Sequence, residues 1–206
     1  LTAAGTINGF VNGETATFTT TGSQTEVGST ANTYSLTWDG TAKESNYTVA
    51  EAIGTLTVTA QSIDPDNPNY KGITVDAPTD VEYTGADQTW LPTVTDGNGK
   101  ALVKDTDYTV TYDNEDRTNV TGTITVTING AGNYAGTITR EYQITPKPVT
   151  ITTESKTKAF DGTALTAGGK VEGIVSGETY GFEVTGSQTY VGSSQNTYEM
   201  VWADSE

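Results

Sequence analysis

The feature that most constrains the fold of this chain is an internal repeat. Residues 1–38 align without a gap with residues 165–202 at an offset of 164, and about 22 of the 38 positions are identical. Sequence of a different type separates the two copies, so the chain holds two kinds of module. We therefore predict three domains: a partial first copy over residues 1–62, a complete middle module over residues 63–146, and a partial second copy over residues 147–206.

Each copy is predicted to lack one strand that the other copy has. A strand at 149–152 precedes the repeated part of the second copy, and a strand at 55–59 follows the repeated part of the first. Unpaired sheet edges tend to recruit strands. Besides stacking of neighbouring modules within the chain, the sequence therefore predicts end-to-end self-association. In that contact, residues 147–164 of one molecule complete the first copy of another.

Alternating polar and apolar residues dominate the chain, at 55–59, 108–112, 123–128 and 149–152. A period of two with threonine on one face is typical of half-buried antiparallel strands. Many short strands with turn residues between them predict an all-β fold of tandem Ig-like β-sandwich modules. A β-grasp-like arrangement is the alternative for the two flanking copies, because the segment 173–179 could cross the sheet as a short helix.

The composition excludes several classes of function. The chain has no Cys and no His, which rules out a thiolate nucleophile, a Ser-His-Asp triad and Cys or His metal sites. The formal net charge of −16 opposes binding to nucleic acid and to anionic membrane surfaces. Ser155 and Lys158 form an S-x-x-K motif, but the companion motifs of that enzyme class are absent. We predict a non-enzymatic protein without nucleic-acid or membrane partners.

Two sets of motifs carry a resemblance to known families. The middle module contains VEYTG at 81–85, DYTVTYDN from Asp107 and GTITVTINGAGNYAGT from Gly122; it resembles the tandem Ig-like domains of Gram-positive surface proteins. The flanking copies contain KAFDGT at 158–163 and TGSQTYVG at 185–192. They are similar to the YDG and MBG repeats of bacterial adhesins, with phenylalanine where those repeats usually have tyrosine. The resemblance implies a secreted, cell-wall-associated protein and transfers no catalytic residue.

These observations predict a structural role. The chain is interpreted as part of the stalk of an extracellular adhesin, in which stacked modules hold a distal binding head away from the cell wall. One alternative is that the repeats themselves bind host glycans or proteins. Another is that the chain is an ancillary region of a cell-surface carbohydrate enzyme.

Two places in the sequence are candidate ligand sites. Four oxygen-bearing side chains fall within six residues between the first copy and the middle module, which predicts a Ca²⁺ site at Asp64, Asp66, Asn67 and Asn69. The alternative is a Pro-rich hinge with turn-forming residues. The second candidate is Trp90, the only tryptophan without a repeat partner, which could stack on a sugar ring or pack in a core.

The other two tryptophans are predicted to belong to the core. Trp38 and Trp202 occupy equivalent positions in the two copies, and so do Tyr34 and Tyr198. An aromatic residue that recurs at a fixed position is typical of core packing. A spacing of four residues places each Tyr–Trp pair on one face of a strand.

Overall fold

The computed structural model describes residues 1–203, and this part of the chain is an all-β protein, as predicted. Within it there is no α-helix, and the only helical segment is a 3₁₀ turn over Glu44–Asn46. No helix in residues 1–203 has the length and apolar character needed to cross a membrane. The assembly of the sheets into Ig-like sandwiches stays a prediction.

The first copy contains four strands that form two antiparallel pairs, β1 with β3 and β2 with β4. Their bounds are β1 (Thr17–Thr20), β2 (Gly28–Ala31), β3 (Tyr34–Thr37) and β4 (Thr55–Val58). The predicted strand at 55–59 is therefore confirmed. Leu56 is buried on its inward face, as the alternating pattern requires.

The middle module contains eight strands, most of them short, when it is counted from residue 61, two residues before the predicted bound, because residues 61–62 pair with residues 134–135. Their bounds are β5 (Gln61–Ser62), β6 (Thr74–Val75), β7 (Val81–Glu82), β8 (Val94–Thr95), β9 (Tyr108–Tyr112), β10 (Thr123–Gly130), β11 (Tyr134–Ala135) and β12 (Thr137–Thr145). The largest sheet has the order β7-β12-β10-β9. Its strands β9 and β10 include the two runs predicted from alternation, and the alternate residues Ile124, Val126 and Ile128 are fully buried.

The second copy contains four strands in two antiparallel pairs, β13 with β14 and β15 with β16. Their bounds are β13 (Thr150–Thr153), β14 (Gly169–Glu172), β15 (Tyr180–Val184) and β16 (Tyr198–Trp202). Strand β13 confirms the run predicted at 149–152. The segment 173–179, where the β-grasp alternative expected a short helix, is irregular chain with a turn at 176–177. Gly177 at this turn has a φ of 98°, a conformation that favours glycine over a helix-forming residue.

The repeat in sequence is also a repeat in structure. The β1·β3 pairing matches Phe18 with Leu36, and the β15·β16 pairing matches Phe182 with Met200 at the same offset of 164. A close backbone approach recurs as well. A Cβ atom on Gly22 would lie 2.6 Å from Asn32 Cα, and one on Gly186 would lie 2.5 Å from Asn196 Cα. Glycine is required at both positions because the backbone at Asn32 or Asn196 comes too close to leave room for a side chain.

Each copy contains one strand pair that has no equivalent in the other copy. Strand β2 has β4 as its partner, whereas its counterpart at 192–195 belongs to no strand within residues 1–203. Strand β14 has β13 as its partner, whereas its counterpart at 5–8 is likewise outside any described strand. The predicted lack of a strand in each copy, and self-association through the unpaired edges, stay predictions.

The chain divides into two compact units. Unit 1 comprises Leu1–Ala77, Leu91–Tyr112 and Val126–Arg140; its fully buried apolar residues include Ile63, Val94 and Ile128. Unit 2 comprises Pro78–Trp90, Asp113–Thr125 and the chain from Glu141 onward, and its fully buried apolar residues include Ile124, Tyr142 and Ile144. The bounds of the three predicted domains stay predictions; strands β10 and β12 each contribute residues to both units.

The expectation for the repeated tryptophans is only half met. Trp38 is half-buried, with its ring stacked on Tyr47 at 5.8 Å and in edge contact with Phe10 at 6.0 Å. Trp202 is 53% exposed, so its predicted burial is wrong. The counterpart of Phe10 is Ile174, and the offset places the counterpart of Tyr47 past Glu206. The tryptophan at this repeated position therefore has different packing neighbours in the two copies.

Candidate functional site

The residues that link the first copy to the middle module form an ordered joint in unit 1. Strand β5 pairs in parallel with β11. The Gln61 amide donates a hydrogen bond of 3.0 Å to the Asn133 carbonyl, and the Ile63 amide donates one of 2.8 Å to the Ala135 carbonyl. Ile63 is fully buried. The connecting chain is thus a strand of the middle module rather than a free linker.

Asn133 also contacts the first copy through its side chain. Its Oδ1 accepts a hydrogen bond of 2.9 Å from the Val27 amide, and its Nδ2 donates to the Glu26 carboxylate. Gly132 precedes it with a φ of 60°, which turns the chain so that the Asn133 backbone faces the linker. One residue therefore connects the middle module both to the linker and to the corner of the first copy before β2.

The predicted calcium residues lie in the loop that follows β5. Asp64 Oδ1 accepts the Asp66 amide at 3.0 Å, and Asn67 Oδ1 accepts the Asn69 amide at 2.9 Å. These are two successive turns in which a side-chain oxygen caps the backbone two residues on. The structure thus places the four residues in one loop and directs two of their oxygens toward their own backbone. No group of three or more His, Cys, Asp or Glu residues within residues 1–203 is arranged to hold a metal ion.

The calcium site stays a prediction with a direct test. A cation that binds the folded loop and not the unfolded chain raises the melting temperature by mass action. We expect excess Ca²⁺ to raise the melting temperature relative to chelator, and an Asp64→Asn/Asp66→Asn variant to lose that shift. Differential scanning calorimetry of the chain in Ca²⁺, Mg²⁺ and chelator measures it. Identical melting temperatures in all three solutions would mean that the loop binds no Ca²⁺ and contains only its two hydrogen-bonded turns.

The joint between the middle module and the second copy, in unit 2, is braced by side chains. Lys147 Nζ lies 2.7 Å from Glu82 Oε1, and the Tyr83 hydroxyl donates a hydrogen bond of 2.7 Å to Glu178 Oε1. This bond to a carboxylate raises the pKa of Tyr83 above its ordinary value. Tyr83 and Lys147 are half-buried and their carboxylate partners are exposed, so water screens both contacts and each contributes little to stability.

Trp90, the candidate sugar platform, is half-buried and lies at the end of a well-anchored segment of unit 2. The Tyr142 hydroxyl donates to the Gln88 carbonyl at 3.0 Å, and Arg117 Nε donates to Thr89 Oγ1 at 2.7 Å. Trp90 itself interacts with neighbouring groups. A glycan contact at Trp90 stays a prediction; Trp90 belongs to unit 2 and the calcium candidates belong to unit 1.

The KAFDGT segment of the second copy is a turn built around one carboxylate. Asp161 Oδ1 accepts hydrogen bonds from Lys158 Nζ at 2.7 Å, from the Thr163 amide at 3.0 Å and from the Thr163 hydroxyl at 2.8 Å. These contacts, the lysine first, hold the pKa of Asp161 well below its usual range. Lys158, which the S-x-x-K pattern singled out, thus serves as the partner of an aspartate.

The lowered pKa of Asp161 predicts how this turn responds to acid. A carboxyl whose pKa is lower in the folded state stabilises that state above its unfolded pKa of about 3.9. The contribution decreases as the pH falls below that value toward the folded pKa. We expect the chemical shift of the Thr163 amide in NMR spectra to stay constant from pH 7 down to the ordinary carboxyl pKa of about 3.9. Only below that pH should it move toward the chemical shift that this amide has in an Asp161→Asn variant. A titration midpoint near 4 would contradict the lysine contact.

Sequence reasoning missed the residue that ties the first joint. Asn133 lies within the GNY motif at 132–134, which served as part of the resemblance to surface-protein domains, and its partner Val27 is 106 positions away. The GNY motif was the only available signal. Nothing in a single sequence shows that the amide side chain of such a turn faces another module.

Comparisons of the chain with protein families, curated proteins and solved structures found no match. The resemblance to surface-protein repeats therefore stays a prediction, carried by the motifs alone.

Proposed function

We propose that this chain is a spacer segment of a secreted bacterial cell-surface adhesin, in which stacked β modules hold a binding head away from the cell wall. The observation that carries the proposal is the first joint, where the linker is a strand of the middle module and Asn133 bonds to both the linker and the first copy. A spacer must resist bending where its modules meet. Strand pairing and hydrogen bonding at the joint supply that resistance.

Two further properties support a spacer. The repeated module is the arrangement that extends a chain by adding units. The net charge of −16 keeps such a chain soluble and discourages contact with its neighbours.

The proposal is tested at Asn133. An Asn133→Ala variant loses the side-chain bonds to Val27 and Glu26, while the backbone pairing of β5 and β11 can persist. At about 1 kcal/mol for each hydrogen bond lost, we expect amide exchange around 26–28 to quicken about 5- to 30-fold. Small-angle scattering is expected to show a broader distribution of interatomic distances.

The matched control is Asn129→Ala. Asn129 lies in the same module and accepts a bond of 2.8 Å from the Thr137 hydroxyl, which does not involve the first copy. Exchange at 26–28 should stay at the wild-type rate in this variant. Equal behaviour of the two variants would contradict a braced joint. Specific retention of the wild-type chain on a neutral-glycan array would instead favour the binding role predicted as an alternative.

A further inference from the structure

The chain enters the middle module through a parallel strand pair in unit 1. Strand β5 runs in the same direction as β11, with Ser62 opposite Ala135. The chain leaves the module through a second parallel pair, which lies in unit 2, where Ile144 of β12 is opposite Val81 of β7. Each chain connection of the module is thus held by two strands that run in the same direction.

The direction of the strands decides how tension along the chain acts on the first pair. Tension pulls β5 toward its N-terminal end. It pulls β11 toward its C-terminal end, because β11 continues through Gly136 into β12. In a parallel pair these two pulls are opposite and lie along the strands, whereas the hydrogen bonds run between the strands. The bonds of the pair are therefore loaded together, in shear.

Backbone hydrogen bonds and burial both oppose the sliding of β5 along β11. The amides of Gln61 and Ile63 donate bonds of 3.0 Å and 2.8 Å to the carbonyls of Asn133 and Ala135. Ile63 is fully buried. A slip of one residue would turn its side chain to the opposite face of the strand. Sliding therefore breaks both bonds and exposes a buried side chain at the same time.

A glycine brings β5 close to its partner strand. Gly136 has a φ of 91°, and a Cβ atom at this position would lie 3.0 Å from Ser62 Oγ. Ser62 is itself buried, and its Oγ accepts a hydrogen bond of 3.0 Å from the Asp64 amide. Strand β5 and the turn after it are therefore packed against the residue that joins β11 to β12.

We propose that the β5·β11 pair is a mechanical clamp, a strand pair that carries tension between the first copy and the middle module in shear. The clamp rests on the proposed spacer role for its use, because a spacer transmits the pull between a bound head and the cell wall. It deepens that role by assigning the tension to one strand pair and one direction of loading.

Pulling the same pair in two directions tests the clamp. The chain has no cysteine, so introduced cysteines give unique attachment points for single-molecule force spectroscopy of the full chain. Thr59→Cys with Thr137→Cys pulls in shear, because these positions precede β5 and follow β11. Thr59→Cys with Ala131→Cys pulls both strands from their N-terminal ends, so that the bonds break one after another. We expect a rupture force about twofold higher in shear, since the bonds then share the load. Equal forces would overturn the clamp.

A matched pair of variants at Gln61 tests the bonds themselves. Gln61→Pro removes one amide donor at the first residue of the strand, a position where proline is tolerated. The rupture force in shear should fall to about half, because one of two bonds is lost. The force in the other direction should stay, because the Ile63 amide still donates its bond, and this also shows that the module is folded.

The control is Gln61→Ala, which keeps the backbone amide and should keep both rupture forces. Wild-type force in shear for the proline variant, or an equal loss in the alanine variant, would overturn the clamp. The clamp and the spacer role can fail separately. Specific retention on a neutral-glycan array counts against the spacer role, whereas the clamp is decided by the rupture forces alone.

Discussion

Replacing Ile128 with alanine is expected to destabilise the middle module by about 3–4 kcal/mol. The side chain is fully buried on strand β10, and its removal leaves a cavity in a core that the described structure fills with few other large residues. Urea unfolding, followed by amide exchange of β9 and β10, measures the loss. The effect is large because the lost burial of the side chain and the cavity add together, and the sum is a large fraction of the total stability of a small β module.

The control for this substitution is Thr111→Ala. Thr111 is exposed on strand β9 and pairs with Thr127, next to Ile128 on β10. Its loss should change stability by less than about 0.5 kcal/mol. A similar loss in the two variants would mean that the Ile128 face of β10 is not the core of this sheet.

The repeated tryptophans are expected to respond unequally to the same substitution. Trp38→Ala removes a ring that packs on Tyr47 and Phe10, and we expect it to cost about 3 kcal/mol. Trp202→Ala removes a ring that is more than half exposed, and we expect a loss of less than about 1 kcal/mol. Thermal or urea unfolding of the two variants, monitored by amide exchange in β3 and β16, gives the comparison.

Equal losses would show that the two copies have equal cores in solution.

The strands were predictable because their signal is local. Alternation at 108–112 and 123–128 requires only that one face of a strand be buried, and both runs became β9 and β10. The turn at 161–162 was predictable for the same reason, since an aspartate and a glycine set its backbone. Short pairings such as β5 with β11 were not predictable, because two residues in a strand leave no periodic pattern.

Among the candidate sites, too, the local features were predictable from the sequence and the long-range contacts were not. The loop at 64–69 was recognisable from its residue types, and the turns at Asp64 and Asn67 are local structure. The role of Asn133 was not recognisable, because its contact with Val27 joins residues 106 positions apart. Such a contact depends on how modules meet, and one sequence without its fold does not contain that information.

The sequence by itself determined the repeat and the all-β fold, because identity at a fixed offset and a period of two are properties of the chain. Tertiary structure alone decided which repeated residues are buried. Trp38 directly follows β3 and Trp202, its repeat partner, ends β16; Trp38 packs on Tyr47 and Phe10, whereas Trp202 is more than half exposed. Burial is a property of the neighbours that surround a side chain, and identical side chains lose different amounts of water when those neighbours differ.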